Sequence, residues 1–459
     1  MSDRPTYYLL SLGCSKNTVD SESMAQLLDA AGYTSVEKPR RADVLIVNTC
    51  GFISPAREES IRHLRALAAR KRRDQVLIAA GCLAQLWGPA LTEAVPGLDG
   101  VIGTRRWMDI VAFVEQVRAR RGGMTPQPLY HLPTDALTVG DDEHGARRVA
   151  VQGASAYLKI ADGCRRPCSF CTIPTIKGTL KSRPPERIVA EAQQLAAQGV
   201  REIILIAQDL TDYGSDLGMR DGLATLITQI TQAAPTLDWL RLMYAYPGAI
   251  TERLIEVMAT NDKVVKYLDL PLQHAHPAVL RRMRRPSNIE WVYKTLDKMR
   301  AAMPELAVRT TFIVGFPGET DEEFEALLQF VEAMQFDRVG VFTYSLEPQS
   351  PSAALPNPVP AHVAEARREA LMLAQQRISL RKHQQLVGRT LTVLIEGYDT
   401  AQNISVGRSY RDAPEVDGLV FVEGVLPVGA MVPVQITGAM AYDLFARPAI
   451  AEPRPAMAA

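Results

Sequence analysis

Short apolar runs alternate with amphipathic stretches along the first 120 residues. Runs of four or five apolar residues have the length of buried strands, and the stretches between them repeat their apolar positions as helices do. The predicted strands are residues 7–10, 44–47 and 76–80, and the predicted helices are residues 17–31, 55–72 and 107–118. Strands that alternate with helices form parallel sheets, so the pattern predicts an N-terminal parallel α/β sheet domain.

The same alternation returns on a larger scale after residue 153. The strand-like runs are residues 156–160, 202–207, 240–245, 267–270, 308–314 and 339–344, with helix-like stretches at 185–198, 251–259, 289–302 and 322–335. Six such units without a seventh and eighth predict a partial (β/α)6 barrel that is open on one side. Barrel active sites lie at the carboxyl ends of the strands.

The remaining segments predict a linker, a connecting helix and a small antiparallel β-barrel. The predicted linker is rich in glycine, proline, aspartate and histidine. The predicted β-barrel is a series of short β-like runs separated by glycine turns. The predicted helix spans residues 361–386, and the β-like runs are residues 391–397, 419–422 and 431–439. The predicted multidomain α/β chain has bounds at 1–120, 121–152 (the linker), 153–385 and 386–450.

Composition narrows the possible partners only slightly. The 459 residues carry 51 basic and 51 acidic side chains, so net charge gives no reason to expect nucleic acid or an acidic membrane surface. Asp3, Arg4 and Pro5 precede only a short apolar run, which is unlike a signal peptide, and no stretch approaches the length of a membrane span. We therefore expect a cytoplasmic protein. In a reducing compartment, thiols more often hold metal than form disulfides.

Three of the six cysteines lie on one loop after the first predicted barrel strand. Cys164, Cys168 and Cys171, here called the barrel triad, have the spacing Cys-x-x-x-Cys-x-x-Cys. Three thiolates on one short loop can each reach a different iron of a cubane cluster, which leaves one iron open. A zinc site, which normally takes four protein ligands, and a disulfide set are the alternative interpretations.

The other three cysteines follow the three predicted strands of the first domain. Cys14, Cys50 and Cys82, here called the N-terminal triad, end the runs Ser11-Leu12-Gly13-Cys14, Val47-Asn48-Thr49-Cys50 and Ala80-Gly81-Cys82. Ligands of open α/β sheets bind beyond the carboxyl ends of the strands, so these thiols should meet and form a second three-thiolate site. The alternative is that each thiol is a small buried hydrophobe.

Other predicted strand ends carry residues that could bind a ligand. Asp209 could accept a hydrogen bond from a ribose or an amino group, and Gly315 and Gly318 would let backbone approach a ligand closely. Ordinary turn chemistry explains the glycines as well. His274 and His276 fit hydrogen-bonded strand-end histidines better than catalytic proton carriers.

Two segments have uneven charge. The predicted helix around residues 57–73 is basic, which fits a solvated face better than an RNA site. The tail is acidic and should repel phosphates, which favours a basic protein partner over RNA. Its charges are Arg389, Arg408 and Arg411 against Glu396, Asp399, Asp412, Glu415, Asp417, Glu423 and Asp443.

The order of cysteines and domains resembles the methylthiotransferase family of radical S-adenosylmethionine (SAM) enzymes, whose C-terminal domain is called TRAM. Within that family the chain is most similar to the RimO type. The likeness rests on residues 51–60, Arg165-Arg166-Pro167, Gln208-Asp209 with Tyr213-Gly214, and residues 408–418. The last stretch discriminates most, because the resemblance places it in the substrate-facing domain.

The resemblance implies an enzyme that attaches a methylthio group to the β-carbon of an aspartate in small-subunit ribosomal protein twelve. The barrel triad would hold the 4Fe-4S cluster that cleaves SAM, and the N-terminal triad an auxiliary 4Fe-4S cluster that carries the sulfur. One SAM would methylate that sulfur, and a second would give the radical that removes hydrogen from the β-carbon. No catalytic residue beyond these ligands is implied, while Phe170, Asp209 and Gly315 are the expected SAM contacts.

The implied partners are the basic ribosomal protein, an electron donor such as a flavodoxin-type reductant and a sulfur donor, with no membrane and no RNA except through the ribosome. A tRNA adenosine methylthiotransferase of the MiaB type and a non-catalytic iron–sulfur sensor are the alternatives. The acidic tail argues against the first, and two open-iron sites argue against the second.

Overall fold

A computed structural model describes residues 4–120, 127–141 and 144–449. The first domain is a six-stranded, wholly parallel sheet in the order β2-β1-β3-β4-β5-β6. Its strands are β1 (Thr6–Ser11), β2 (Thr34–Ser35), β3 (Val44–Thr49), β4 (Val76–Gly81), β5 (Gly100–Gly103) and β6 (Leu129–His131). Its helices are α1 (Ser15–Ala30), α2 (Ser54–Arg70), α3 (Cys82–Trp87), α4 (Pro89–Ala94) and α5 (Ile110–Arg120).

The predicted linker at 121–152 contains two strands. β6 lies within it and completes the N-terminal sheet, while β7 (Val149–Gln152) pairs antiparallel with the first barrel strand. Such short strands are too brief to show a period against a background rich in turn residues. Residues 121–126 and 142–143 of that range lie outside the described part of the chain. The domain bounds themselves stay a prediction.

The central domain is the predicted open barrel of six parallel strands. They form two sheets, β12-β11-β8 and β13-β14-β15, joined where Leu240 bridges Val264 and Ala245 N–H donates to the Asp269 carbonyl. The strands are β8 (Ser155–Lys159), β11 (Glu202–Ile206), β12 (Trp239–Leu242), β13 (Tyr267–Asp269), β14 (Ala307–Val314) and β15 (Arg338–Thr343). A small antiparallel pair, β9 (Ala161–Asp162) with β10 (Lys181–Ser182), closes the base of the loop that carries the barrel triad.

Amphipathic helices cover the outside of this barrel. They are α6 (Ile173–Lys177), α7 (Pro185–Ala197), α8 (Gly222–Ala233), α9 (Glu252–Thr260), α10 (Pro277–Arg282), α11 (Ile289–Ala302) and α12 (Asp321–Met334). Outward-facing strand residues such as Leu158, Leu205 and Val308 pack under these helices in the largest apolar core. Burial of that face holds the strands in register, because a slip of one residue would turn every apolar side chain inward.

Both neighbouring domains pack into the inside of the barrel. Tyr157, Ile204 and Ile206 point inward and form one apolar cluster with Val19 of α1 and Leu394 of the C-terminal domain. The N-terminal and C-terminal domains therefore share the barrel's inner core rather than hang from linkers.

The C-terminal domain is a closed five-stranded barrel reached through the long helix α13 (Ala361–Gln384). Its strands are β16 (Thr390–Asp399), β17 (Ile404–Ser409), β18 (Val420–Glu423), β19 (Met431–Ala439) and β20 (Leu444–Pro448). The sequence predicted it to be antiparallel, but β18 and β20 run parallel. A ring with an odd number of strands cannot alternate direction at every pair, so one parallel pair is required.

Candidate functional site

The N-terminal triad comes together at one edge of the first sheet. β1, β3 and β4 are neighbours, and a cysteine follows the carboxyl end of each. Burial raises the pKa of the Cys82 thiol to about 12, and the nearby Cys50 and Cys14 raise it further. Burial also raises the pKa of Cys50, with Cys14 adding to it. The structure therefore brings the three thiols within electrostatic reach of one another.

Glycine makes this close approach possible. Gly13 precedes Cys14 with a φ of +94°, and a Cβ at this position would lie 2.7 Å from Cys50 Cβ. Any side chain there would push the two cysteine loops apart. The glycine thus serves the convergence of the thiols as well as the backbone turn.

The barrel triad lies on its loop at the carboxyl end of β8. The Cys164 and Cys171 thiols accept hydrogen bonds from the backbone N–H groups of Arg166 (3.4 Å) and Ile173 (3.5 Å). The pKa of Cys164 is raised to about 11 and that of Cys171 to about 12, mainly by burial. Cys168 contributes to both shifts, and Cys164 contributes to that of Cys171. N–H donors aimed at sulfur stabilise a thiolate, so the loop suits metal-bound sulfur.

Three converging thiol donors fit one cubane cluster at each triad, and at the barrel triad backbone N–H groups are also directed at sulfur. No three His, Cys, Asp or Glu side chains within residues 4–120, 127–141 and 144–449 are arranged to hold a single metal ion. A cubane needs no such arrangement, because each of its thiolates binds a different iron atom.

The segment that follows β12 reaches both triads. Tyr246 lies between the guanidinium groups of Arg166 (4.2 Å) and Arg285 (4.3 Å), and Arg285 Nη1 lies 3.6 Å from the Cys168 sulfur. Tyr244 lies two residues before Tyr246, and the Nζ atom of Lys16 is 3.2 Å from the centroid of its ring. Lys16 belongs to the Cys14 loop and first turn of α1, so residues 244–246 border the space between the triads.

Tyr244 is also strained. Its φ is +69°, which a bulky residue rarely adopts. Its N–H donates to Asp269 Oδ2 at 3.1 Å, and its carbonyl accepts from Leu210 N–H, so neighbouring strand ends hold the conformation. Strained residues of this kind cluster at ligand-binding sites, where the surrounding structure fixes them.

A buried group of charges joins the two triad loops. This junction network contains Asp20, Arg148, Lys159, Asp162 and Lys177, and every side chain in it is at most 7% exposed. Lys177 Nζ lies 2.9 Å from an Asp20 oxygen, and its charge opposes the effect of burial on the pKa of Cys82. The network thus fixes α1, which starts at the first triad, against the loop of the second.

A second contact between the domains lies at the start of α2, a few residues after Cys50. The buried Glu347 pairs with Arg57, and its carboxylate also accepts from Ser54 N–H at 3.1 Å. The basic helix was predicted to be solvated. That holds for Arg62, Arg65, Arg70, Arg72 and Arg73, which are exposed. It does not hold for Arg57 and Lys71, which pair with Glu347 and Asp99.

The predicted SAM contacts have protein partners in this structure. Asp209 Oδ2 accepts from Arg166 at 2.7 Å, and its other oxygen accepts from Thr211. Gly315 faces α13, where a Cβ would collide with Ala364. Phe170 packs against Val279, Met283 and Phe316. Their contact with SAM stays a prediction.

The strand-end histidines are hydrogen bonded, as the sequence favoured. His274 Nδ1 accepts from His276 N–H at 3.0 Å, and His276 Nδ1 accepts from Ala278 N–H at the start of α10. Burial lowers the pKa of His274 to about 3. The His274 imidazole is therefore neutral at physiological pH.

The stretch 408–418 packs against the central barrel. It contacts the amino ends of the barrel strands, where its charged side chains form a set of buried ion pairs, here called the floor network. Its pairs are Arg408–Glu202, Arg241–Glu202, Arg411–Asp337, Arg338–Asp412 and Arg309–Asp417, and Tyr267 donates to Asp417. These side chains satisfy one another out of water, so the stretch anchors the C-terminal domain to the central barrel.

This burial changes the charge that the tail presents. Arg408, Arg411 and Asp412 are buried, and the Asp417 side chain is 2% exposed. The exposed acidic residues Glu396, Asp399, Glu415 and Glu423 remain, against the exposed Arg389 and Arg447. The exposed face of the tail is therefore acidic, as predicted, with fewer charges than the sequence suggested.

Sequence reasoning missed Lys16, Tyr244, Glu347 and the junction network. One signal was available: Lys159 interrupts an apolar strand, and a lysine in such a run needs a buried partner. The partner Asp20 could not be found in this way, because it lies in another domain.

Family models match three parts of the chain. "Uncharacterized protein family UPF0004" matches residues 6–103, "Radical SAM superfamily" residues 158–331 and "TRAM domain" residues 387–448. Within the described residues, no helix is both long and apolar enough to cross a membrane.

Similar proteins cover nearly the whole chain. "Ribosomal protein uS12 methylthiotransferase RimO" of Chloroflexus aurantiacus is 51% identical over 96% of this chain and 98% of its own. The proteins of the same name from Roseiflexus sp. (48%; 96% of each chain) and Microcystis aeruginosa (44%; 97% and 99%) are also similar.

Among solved structures, the radical S-adenosylmethionine methyltransferase TsrM of Kitasatospora setae matches with a TM-score of 0.52. The match has 15% identity and covers 85% of this chain and 80% of TsrM. At that identity the likeness shows the fold alone.

Proposed function

The chain belongs to the RimO family of radical SAM methylthiotransferases, and from this membership we propose that it attaches a methylthio group to the β-carbon of an aspartate in ribosomal protein uS12. The observation that carries the proposal is the meeting of two cysteine triads across residues 244–246. Two clusters with separate roles must face one substrate carbon, and this junction provides that arrangement.

The cofactors are S-adenosylmethionine and two 4Fe-4S clusters. We assign one cluster to Cys164, Cys168 and Cys171 and the other to Cys14, Cys50 and Cys82. When bound, these groups supply the electrons, the hydrogen-abstracting radical and the methylated sulfur. A radical is suited to this carbon because its hydrogen is not acidic enough for a side-chain base when the adjoining carboxylate is ionised.

The chain's own residues hold this arrangement in place. Arg166 and Arg285 fix the barrel triad loop around Tyr246, and the junction network holds α1 against the same loop. Inward-facing apolar residues of the barrel, such as Ile204 and Ile206, pack with Val19 and keep water out of the space below the triads. Water exclusion protects a radical from unwanted reactions.

Other partners follow from the chemistry. A low-potential electron donor, such as a flavodoxin-type reductant, would reduce the barrel cluster, and a sulfur donor would restore the auxiliary cluster. The exposed acidic face of the C-terminal barrel suits a basic ribosomal protein and disfavours phosphate-rich tRNA. Because the proposed substrate is a component of the ribosome, the proposed place of action is the cytoplasm.

Two cysteine variants test the division of labour. Cys168→Ala should abolish formation of 5'-deoxyadenosine from SAM, because it removes a ligand of the cluster that cleaves SAM. Cys50→Ala should retain that cleavage and lose methylthiolation of uS12, measured by mass spectrometry. Circular dichroism shows whether each variant keeps its fold, and iron analysis whether it keeps the other cluster.

Equal loss of 5'-deoxyadenosine in both folded variants would contradict the assignment of the triads. Methylthioadenosine in tRNA, with uS12 unchanged, would instead identify a tRNA-modifying enzyme.

A further inference from the structure

Lys16 is an unpaired cation between the two triads. It makes no hydrogen bond and no ion pair with any residue in the described ranges, and its one polar contact is with the ring of Tyr244. Its charged neighbours differ in this respect. Arg165 pairs with Asp212 and Arg166 with Asp209, and Lys177 pairs within the junction network.

The position of Lys16 is not one that helix stability favours. It is the second residue of α1, where the helix dipole presents its positive end, and a cation there is repelled. The first turn holds no acidic residue that would offset this. A lysine that stabilised α1 through the helix dipole would lie at the carboxyl end of the helix.

The adjoining residue also lacks a partner. Ser15 is 8% exposed, and its hydroxyl oxygen makes no hydrogen bond in the part of the chain that the structure describes. A buried hydroxyl without a partner is rare in native proteins. Cys14-Ser15-Lys16 therefore presents a free hydroxyl and a free ammonium beside a triad thiol.

The substrate supplies the anion that this site lacks. The proposed target is an aspartate, whose carboxylate is one bond from the β-carbon. A carboxylate taken out of water into a protein site needs a cation or hydrogen-bond donors to stay ionised. The ring of Tyr244, fixed by its strained backbone, holds the ammonium at the border of the two triads.

We propose that Lys16, supported by Tyr244, binds the side-chain carboxylate of the substrate aspartate and so places its β-carbon between the two triads. This inference rests on the proposed function and names the residue that selects an acidic side chain. The contact is a charge-assisted hydrogen bond from the ammonium, with the Ser15 hydroxyl available as a second donor.

A double comparison tests the proposal by binding alone. The full chain, with both clusters reconstituted and without reductant, is titrated with a synthetic peptide of the modified uS12 loop, carrying either the target aspartate or asparagine. Wild type should bind the aspartate peptide about tenfold more tightly. Lys16→Met should lose this preference through weaker binding of the aspartate peptide, and affinity for the asparagine peptide should change less than twofold.

Two further variants serve as controls. Lys16→Arg keeps the charge and the contact with the ring, so it should keep the preference. Lys294→Met removes an exposed lysine from α11 and should leave both affinities unchanged. If Lys16→Met does not fold, as judged by thermal melting, Tyr244→Leu gives a second measurement and should reduce the preference.

Equal weakening of both peptides by Lys16→Met would show a structural role and overturn the proposal, as would an unchanged preference. Mass spectrometry of intact uS12 treated with wild-type enzyme separates this result from the proposed function. A methylthiolated product together with a negative result for Lys16 rejects only the role of Lys16, whereas absence of the product rejects the function.

Discussion

Single residues decide how the two triads meet, and only some of them could be read from the sequence. The barrel triad was found from its Cys-x-x-x-Cys-x-x-Cys spacing on one loop. The N-terminal triad was found because each of its cysteines follows a strand, and parallel strands bring their carboxyl ends to one edge. Lys16 and Tyr244 could not be found, since their contact depends on how two domains pack. A lysine near a cysteine has no distinctive pattern in one sequence.

At the same scale, His274 gives the fold a defined pH dependence. Burial lowers its pKa to about 3, whereas an unfolded chain binds the same proton near pH 6.5. The unfolded state thus holds more protons between these values, so the stability is complete above about pH 6.5 and is lost as the pH falls. By pH 5 this loss amounts to about 2 kcal/mol.

The variant His274→Gln keeps an acceptor for His276 N–H and removes the titrating group. We expect the fall in melting temperature between pH 7 and pH 5 to shrink by a few degrees in this variant. His362→Gln, at an exposed position on α13, is the matched control. A fall as large as that of wild type would show that His274 takes up its proton without unfolding.

At the scale of elements, the stretch 408–418 shows the limit of reading a segment by itself. Its arginines and aspartates look like a surface, because the sequence does not show the acids and bases of the barrel that face them. β17 and β20 were missed for a related reason. The apolar positions of β20, Leu444 and Ala446, become a buried face only when the five-stranded ring closes. The buried residues of β17 are Ser405, Gly407, Arg408 and Ser409, which give no apolar pattern.

The floor network predicts that Glu202 holds the C-terminal barrel in place. Glu202→Gln would leave the buried guanidinium group of Arg241 without a carboxylate and that of Arg408 with Glu396 alone, which costs about 3–5 kcal/mol. We expect faster proteolysis near residues 385–389, where α13 meets the C-terminal barrel, and faster amide hydrogen exchange in β17. Glu423→Gln, an exposed change on the same barrel, should alter neither.

The same carboxylate predicts an acid limit. Burial by itself would raise the pKa of Glu202, but Arg241 and Arg408 outweigh it and lower the pKa to about 2. This stability is therefore present above about pH 4.5 and is lost as the pH falls toward 2. Proteolysis near 385–389 that is equally slow at pH 3 and pH 7 would contradict this role.

For the whole molecule, charge on the C-terminal barrel should govern how quickly the protein substrate arrives. Replacing Asp399, Glu415 and Glu423 by their amides removes exposed negative charge and leaves the floor network intact. We expect association with uS12 to slow about three- to tenfold at low salt, with a smaller change in dissociation. Stopped-flow or surface-based kinetics at two salt concentrations measure both rates.

The matched control neutralises Glu290, Glu325 and Glu332, which are exposed on the outer helices α11 and α12. It changes net charge equally and should change association far less. Equal slowing in both triple variants would mean that net charge, and not this face, guides the substrate.

The floor network also fixes the distance between the C-terminal barrel and the two triads. It holds the C-terminal barrel at the first residues of the barrel strands, such as Glu202, Tyr267 and Arg338, whereas the triads lie beyond the opposite ends of the strands. The five residues of β8 alone separate these ends by roughly 15 Å. A substrate that touches both places must project its aspartate at least that far from its docking surface. The fixed distance thus selects a substrate by its folded shape in addition to its local sequence.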